Sequence, residues 1–268
     1  MAKRVELEDV TLAYEERGAE SSGRGTVVFL HGLGGSVYSW WGQLESLASS
    51  GHRALAYDQR GAGLSSKPPG PYSVELWAED LVRLLDELEL ERVALVGHSA
   101  GCMIAEQAAV RLGDRARALA VVGGALRWRP EAGPVFEERV RLARAGRMDE
   151  IAEAVARTGL SERCREEEPA LHGLFLEMIA ANDPGAYAEW SAATATAEMA
   201  ETGRVPCPTL ALCGEEDPVT PPGFAREVAA AVPDGRAAVI AGAAHWCQLE
   251  APARVSAMLG EFLDEIAT

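Results

Sequence analysis

No stretch of this chain is apolar for long enough to span a bilayer, and no apolar segment of the kind a secretory leader requires follows Lys3 and Arg4. Basic residues are outnumbered, with 25 Lys and Arg against 41 Asp and Glu, a net charge of −16. So acidic a surface disfavours nucleic acid and anionic membranes as partners. Cysteine is sparse and scattered. Cys102, Cys164, Cys207, Cys213 and Cys247 are odd in number and contain no CxxC pair. Such a set suggests reduced, mostly buried thiols in a cytoplasmic protein. There is no internal repeat and no low-complexity tract. The glycine-rich segment "HGLGG", His31 to Gly35, lacks both the lysine of a P-loop and the GxGxxG spacing of a dinucleotide site.

What is present is a globular composition, 48% hydrophobic over 268 residues, enough for one large α/β domain carrying an insertion. "VELEDVTLAYEERG" alternates in the manner of an N-terminal hairpin. Short apolar runs follow, each closed by a polar or glycine-rich turn: "TVVFLHGLGG", "HRALAYDQRG", "RVALVGHSAG", "RALAVVGGA", "TLALCGEEDP" and "AAVIAGAAH". Helical periodicity separates most of them, over 73–90, 101–112, 222–232 and 252–266. Strands alternating with amphipathic helices predict a mostly parallel twisted sheet with helices on both faces. From about Leu126 to Arg204 only helical periodicity is found, with breaks near Gly159 and at "NDPG", Asn182 to Gly185. The expected division is therefore a core of 1–125 and 205–268 and a helical cap of 126–204.

The most informative five residues are Gly97-His98-Ser99-Ala100-Gly101, between the apolar "VALV" and an alanine-rich helical stretch. Gly-x-Ser-x-Gly at a strand-to-helix junction is a nucleophile elbow, which exposes the serine hydroxyl on a strained turn. A plain Gly-Ser turn is the competing explanation. It predicts nothing else in the chain, whereas a nucleophilic serine needs a base and an acid that orients it, in the order serine, acid, histidine. Of five histidines, only His245 lies at the end of a later strand-like run and follows every candidate acid. Among Glu215, Glu216 and Asp217 after "TLALCG", Asp217 is the expected acid, a short carboxylate followed by Pro218. The backbone amides of Ala100 and of Leu33 in "HGLGG" are the expected oxyanion donors.

Nearly the whole chain resembles proteins of the α/β-hydrolase fold. "YDQRGAGLSS", Tyr57 to Ser66, is similar to their D-x-R-G-x-G-x-S loop. Within that superfamily, "HGLGGSVYSW", "DQRGAGLSSKPPGPYSVE", "LARAGRMDEIAEA", "NDPGAYAEW" and "GEEDPVTPP" resemble segments of 3-oxoadipate enol-lactonases. The resemblance implies hydrolysis of a small lactone or ester without metal or organic cofactor. Two departures adjoin the reacting centre. Cys102 stands in "GHSAGCM" where those lactonases tend to have a second glycine, and "HWCQLE" replaces a polar "HLSN"-like stretch. An enol-lactone of that kind carries a carboxylate, so the resemblance also implies a basic residue in the pocket. Arg127 and Arg129 in "ALRWRP" are the candidates, with Trp128 as an apolar wall. The same residues would equally suit two arginines facing solvent and a tryptophan in the cap's own core.

The expected partner is thus a small ester or lactone. A carboxylesterase, an acyl-homoserine lactonase, a C–C bond hydrolase and a cofactor-free perhydrolase would share these catalytic residues. A ligand receptor built on a hydrolase scaffold is a reading of another class. The sequence leaves a homo-oligomer open.

Overall fold

The computed structural model describes residues 2–18, 23–199 and 201–266. Its strands are β1 (Lys3–Glu6), β2 (Thr11–Arg17), β3 (Thr26–Leu30), β4 (Arg53–Tyr57), β5 (Val93–His98), β6 (Ala116–Val122), β7 (Thr209–Gly214) and β8 (Gly235–Ile240). They form a single sheet in the order β1-β2-β4-β3-β5-β6-β7-β8. The N-terminal hairpin is antiparallel, as is its junction to β4, and every pairing from β4 to β8 is parallel. The central strands are apolar on both faces because helices cover both. In β3, Val28 and Leu30 enter one core and Val27 and Phe29 the other. Helices α1 (Trp41–Ser49) and α11 (Pro252–Glu265) pack on the Phe29 side, and α2 (Val74–Glu87) and α3 (Ala100–Leu112) on the Val28 side.

Local chemistry sets the helix ends. Ser73 caps α2 by accepting from the Leu76 amide at 3.2 Å. Trp77, Leu81, Leu84 and Leu85 then recur on one buried face. Between β6 and β7 the chain leaves the sheet for α4 (Gly133–Arg144), α5 (Met148–Gly159), α6 (Glu162–Glu167), α7 (Pro169–Ala180) and α8 (Pro184–Ala195). Asp183 and Pro184 open α8, the side chain of Asp183 accepting from the Ala186 amide at 2.8 Å. The break between α4 and α5, at Gly146 with φ +72°, escaped the sequence reading, which placed breaks at Gly159 and Asn182–Gly185 only. Helix α9 (Pro222–Ala231) and the one-turn α10 (Cys247–Glu250) complete the set. Trp40 is fully buried. Trp41 is 45% exposed, with the Arg17 guanidinium 5.0 Å from its ring.

One of the contacts that fasten the helical insertion to the core converges on a single carbonyl. Trp190 of α8 and Trp77 of α2 stack at 3.8 Å, and both indole N–H groups donate to the Arg60 carbonyl oxygen, at 2.8 and 3.1 Å. The Arg60 side chain is buried too. It makes a two-pronged contact with Asp80 at 2.7 and 2.8 Å, and reaches Asp9 at 2.7 Å. Removing one partner of a buried pair strands the other's charge. Asp80→Ala is therefore expected to lower stability by about 3 kcal/mol, measured by urea unfolding.

Candidate active site

Ser99 sits between β5 and α3 with φ +51° and ψ −121°, a backbone conformation that a side chain disfavours. The flanking glycines make the turn possible by close approach. A Cβ on Gly97 would stand 2.5 Å from the Gly101 carbonyl oxygen, and one on Gly101 2.5 Å from that of His31. Both contacts are too short for any side chain, so the two glycines of Gly-x-Ser-x-Gly are required by the packing of α3 against β5 and β3.

Asp217 follows β7 and His245 follows β8, so all three side chains leave the same end of the parallel sheet. Ser99 Oγ lies 3.0 Å from His245 Nε2, and His245 Nδ1 lies 2.9 Å from Asp217 Oδ2. Ser99, Asp217 and His245 are 9%, 3% and 6% exposed. Glu215 and Glu216, the competing acids, face solvent. Burial works against ionisation of Asp217. The attraction of an imidazolium at His245, when one forms, and hydrogen bonds from His245 and from the Thr220 amide and hydroxyl together outweigh it, and the carboxyl is held at about 2. With Asp217 ionised, Nδ1–H donates to the carboxylate. Nε2 is then the bare nitrogen that accepts the serine hydroxyl. These contacts have the geometry of a nucleophile, a base and the group that orients the base.

The "HGLGG" loop follows β3 and lies directly over the serine, since a Cβ on Gly32 would stand 2.9 Å from Ser99 Cβ. Among the described residues the Leu33 amide makes no hydrogen bond, and the Ala100 amide opens α3, where helix geometry supplies no acceptor. Two free donors thus flank Ser99. The Asp58–Ser66 loop braces this arrangement from behind. The Gln59 amide donates to His31 Nε2 at 3.2 Å, the Gln59 side chain donates to the His31 carbonyl at 2.8 Å, and Asp58 accepts from the Val37 amide at 2.8 Å.

A cavity of about 550 Å³ opens above Ser99 and His245. Its apolar walls include Leu33, Trp128, Phe136, Val155, Phe224 and Trp246, drawn from both the core and the insertion. Trp128 is among the lining residues. Arg127 is not. It is exposed and absent from the lining, because it bridges Glu198 in extended backbone and the alternation turns the next side chain, Trp128, inward instead. The cations that do line the cavity are Arg129 and Arg139. Arg129 is exposed, 4.5 Å over the Phe224 ring and 3.9 Å from Glu227. Arg139 is half-buried over the Phe136 ring at 5.7 Å and has no carboxylate partner among the described residues. No local signal marked Arg139, which lies in an ordinary charged helix until α4 is folded over the serine.

Sequence reasoning also missed His98. Its ring is fully buried 4.5 Å from that of Trp246, and its Nε2 lies 3.0 Å from the His245 carbonyl oxygen. Burial, foremost, and the neighbouring His245 lower its pKa to about 3, so it is neutral and must carry its proton on Nε2 to donate there. The five cysteines are all free and buried. Burial raises the thiols of Cys164 and Cys213 to about 11 and of Cys207 to about 12, and raises Cys102 and Cys247 further, so none is activated as a nucleophile.

Comparison with known proteins agrees with the fold. The family model described as alpha/beta hydrolase fold matches residues 25–252. The 2-hydroxymuconate semialdehyde hydrolase of Pseudomonas sp. strain CF600 is 30% identical over 89% of this chain and 87% of its own. The crystal structure of the enol-lactonase from Burkholderia xenovorans LB400 superimposes with a TM-score of 0.91 at 27% identity, covering 98% of this chain and all of the other. A thermophilic esterase from Thermogutta terrifontis, solved with malate bound, gives 0.91 at 27% identity over the full length of both chains. Some other curated relatives are matched over only about half of their length, 49% in one case. Between them, the family match across the sheet and the serine turn of its central strand establish that the chain belongs to the α/β-hydrolase fold family.

Proposed function

We propose that the protein is a serine hydrolase that cleaves a small carboxylic ester or lactone through an acyl-enzyme, most like 3-oxoadipate enol-lactonase. The observation that carries this reading is the unbroken contact chain Asp217–His245–Ser99 opening into the cavity. Ser99 Oγ attacks the carbonyl carbon while His245 Nε2 takes its proton. The Leu33 and Ala100 amides receive the developing oxyanion. His245 returns the proton to the leaving oxygen, which in a lactone stays tethered to the acyl group. Water, deprotonated by His245, then releases the acid. Helices α4–α8 act as a cap that excludes bulk water and shapes the substrate space.

The lactonase reading is supported by the structural likeness to the Burkholderia enzyme and by a cation, Arg139, in the cavity without an acidic partner. Arg139 takes the role that the resemblance suggested for Arg127 or Arg129, the latter being exposed beside Glu227. The Thr194 hydroxyl, also in the wall and without a partner, offers a second polar contact. The test is proton release from 3-oxoadipate enol-lactone, neutral lactones and short-chain esters. Arg139→Ala is expected to raise KM for the carboxylate-bearing lactone by about tenfold and to leave neutral esters unchanged, as loss of one charge-assisted contact predicts. Turnover confined to neutral esters would discard the lactonase assignment and keep a general esterase. The likeness to the Pseudomonas relative favours C–C hydrolysis as the second reading, so a 2-hydroxymuconate semialdehyde belongs in the same panel.

A further inference from the structure

Three consecutive residues around the proposed base have their backbone held from outside their own loop. The Ala244 amide donates to Glu250 Oε1 at 3.0 Å, the His245 carbonyl accepts from His98 Nε2 at 3.0 Å, and the Trp246 amide donates to the Gly159 carbonyl at 3.2 Å. His98 belongs to the sheet, whereas Gly159 is the last residue of α5, in the cap. Glu250 touches both bodies. Its second oxygen, Oε2, accepts from the Ser161 amide at 3.1 Å and from the Ser161 hydroxyl. Ser161 is the N-cap of α6, its hydroxyl oxygen accepting in turn from the Cys164 amide at 3.1 Å. Glu250 and Ser161 are 7% and 3% exposed, so water does not compete for these contacts.

We infer that Glu250 is a positioning residue that ties the placement of His245 to the seating of the cap. The reasoning is geometric and rests on the serine-hydrolase reading above. A carboxylate with three donors is the smallest group that can hold an amide of the core and two groups of the cap at once, and such charge-assisted bonds are short and directional. Glu250 lines no part of the cavity and touches none of the three reacting side chains. It acts on the residue next to His245. If the cap shifts, Ser161 and Gly159 move together, and the strain reaches Ala244 and Trp246 on either side of the imidazole-bearing residue. Displacement of the base by a fraction of an ångström is enough to slow the reaction. The competing account is that Glu250 only satisfies buried donors and stabilises the fold.

Glu250→Gln keeps the shape but supplies one acceptor oxygen for three donors. Ser161→Ala keeps the carboxylate on Ala244 and severs the cap hydroxyl, and Ser161→Thr restores it. The readouts are kcat and KM on a small ester, the rate of phosphonylation by a fluorophosphonate, and the thermal midpoint. Positioning predicts that Glu250→Gln lowers kcat and the phosphonylation rate by about tenfold with KM little changed. It further predicts that Ser161→Ala lowers both by a smaller factor, that Ser161→Thr recovers them, and that the double variant is no slower than Glu250→Gln alone. A purely structural role predicts a lower midpoint with both rates intact in folded protein, which would overturn the inference. Multiplying effects in the double variant would overturn it as well, since the cap would then act on His245 by another route. Should Glu250→Gln fail to fold, the Ser161 pair decides by the same readouts. Wild-type turnover or phosphonylation surviving in Ser99→Ala would instead defeat the underlying serine-hydrolase reading, whatever Glu250 does.

Discussion

Ser99→Ala is expected to lose at least about 10⁴-fold in kcat on every ester and lactone that the wild type hydrolyses. Substrate affinity should change little, because the cavity walls and the two amide donors remain. The measurement is single-turnover and steady-state hydrolysis with protein free of contaminating esterase. The same position offers a second readout. Ser99 holds a φ of +51°, which alanine would share and glycine would not resent. Ser99→Gly should therefore be as inactive as Ser99→Ala and more stable than it by about 1 kcal/mol in urea unfolding. Equal stability of the two variants would mean that the turn stores no strain.

Asp217→Asn is the other large effect. The amide is isosteric with the carboxylate, yet it offers the Nδ1 side of His245 a donor or a weaker acceptor and stabilises the wrong tautomer. The expected loss is about 10⁴-fold in kcat at unchanged KM, with the fold intact. The pH dependence carries a sign that can be checked. Asp217 is held at about 2 against an ordinary value of 3.8, so its ionised form is favoured in the folded protein. The stability it contributes is complete above about pH 4 and disappears as pH falls through about 2. Any loss of wild-type activity on acidification between pH 8 and pH 4 must then come from a group other than Asp217, and the wild type should lose its stability advantage over the Asn variant in strong acid only.

The legible part of this protein was what repeats or what is punctuated. Alternating apolar runs gave the sheet, and Gly97, Gly101 and the strand-end positions of Asp217 and His245 gave the serine site, because each obeys a local rule that one sequence displays. The helix over 73–90 was visible from Ser73 and the spacing of Trp77, Leu81, Leu84 and Leu85. What stayed hidden depends on distant segments meeting. Arg127 and Arg139 look alike in sequence, and only the pairing of Arg127 with Glu198 and the folding of α4 over the serine separate them. Glu250 was read as part of an atypical tail after His245. Its partners, Ser161 and Ala244, are brought to it by the cap and by a tight turn. His98 lies inside the elbow motif itself, but its task is set by a carbonyl 147 residues away in the chain.

The paired indoles of Trp77 and Trp190 have an optical consequence. Two such chromophores 3.8 Å apart, inclined at 30° and locked by a shared acceptor, are close enough for their electronic transitions to couple. One belongs to the sheet-packed α2 and the other to the cap. The pair should give a circular-dichroism couplet that collapses when the two bodies separate and persists when only solvent-facing Trp41 is disturbed. The molecule thus carries its own label-free gauge of cap attachment, with Trp77→Phe or Trp190→Phe as the blank.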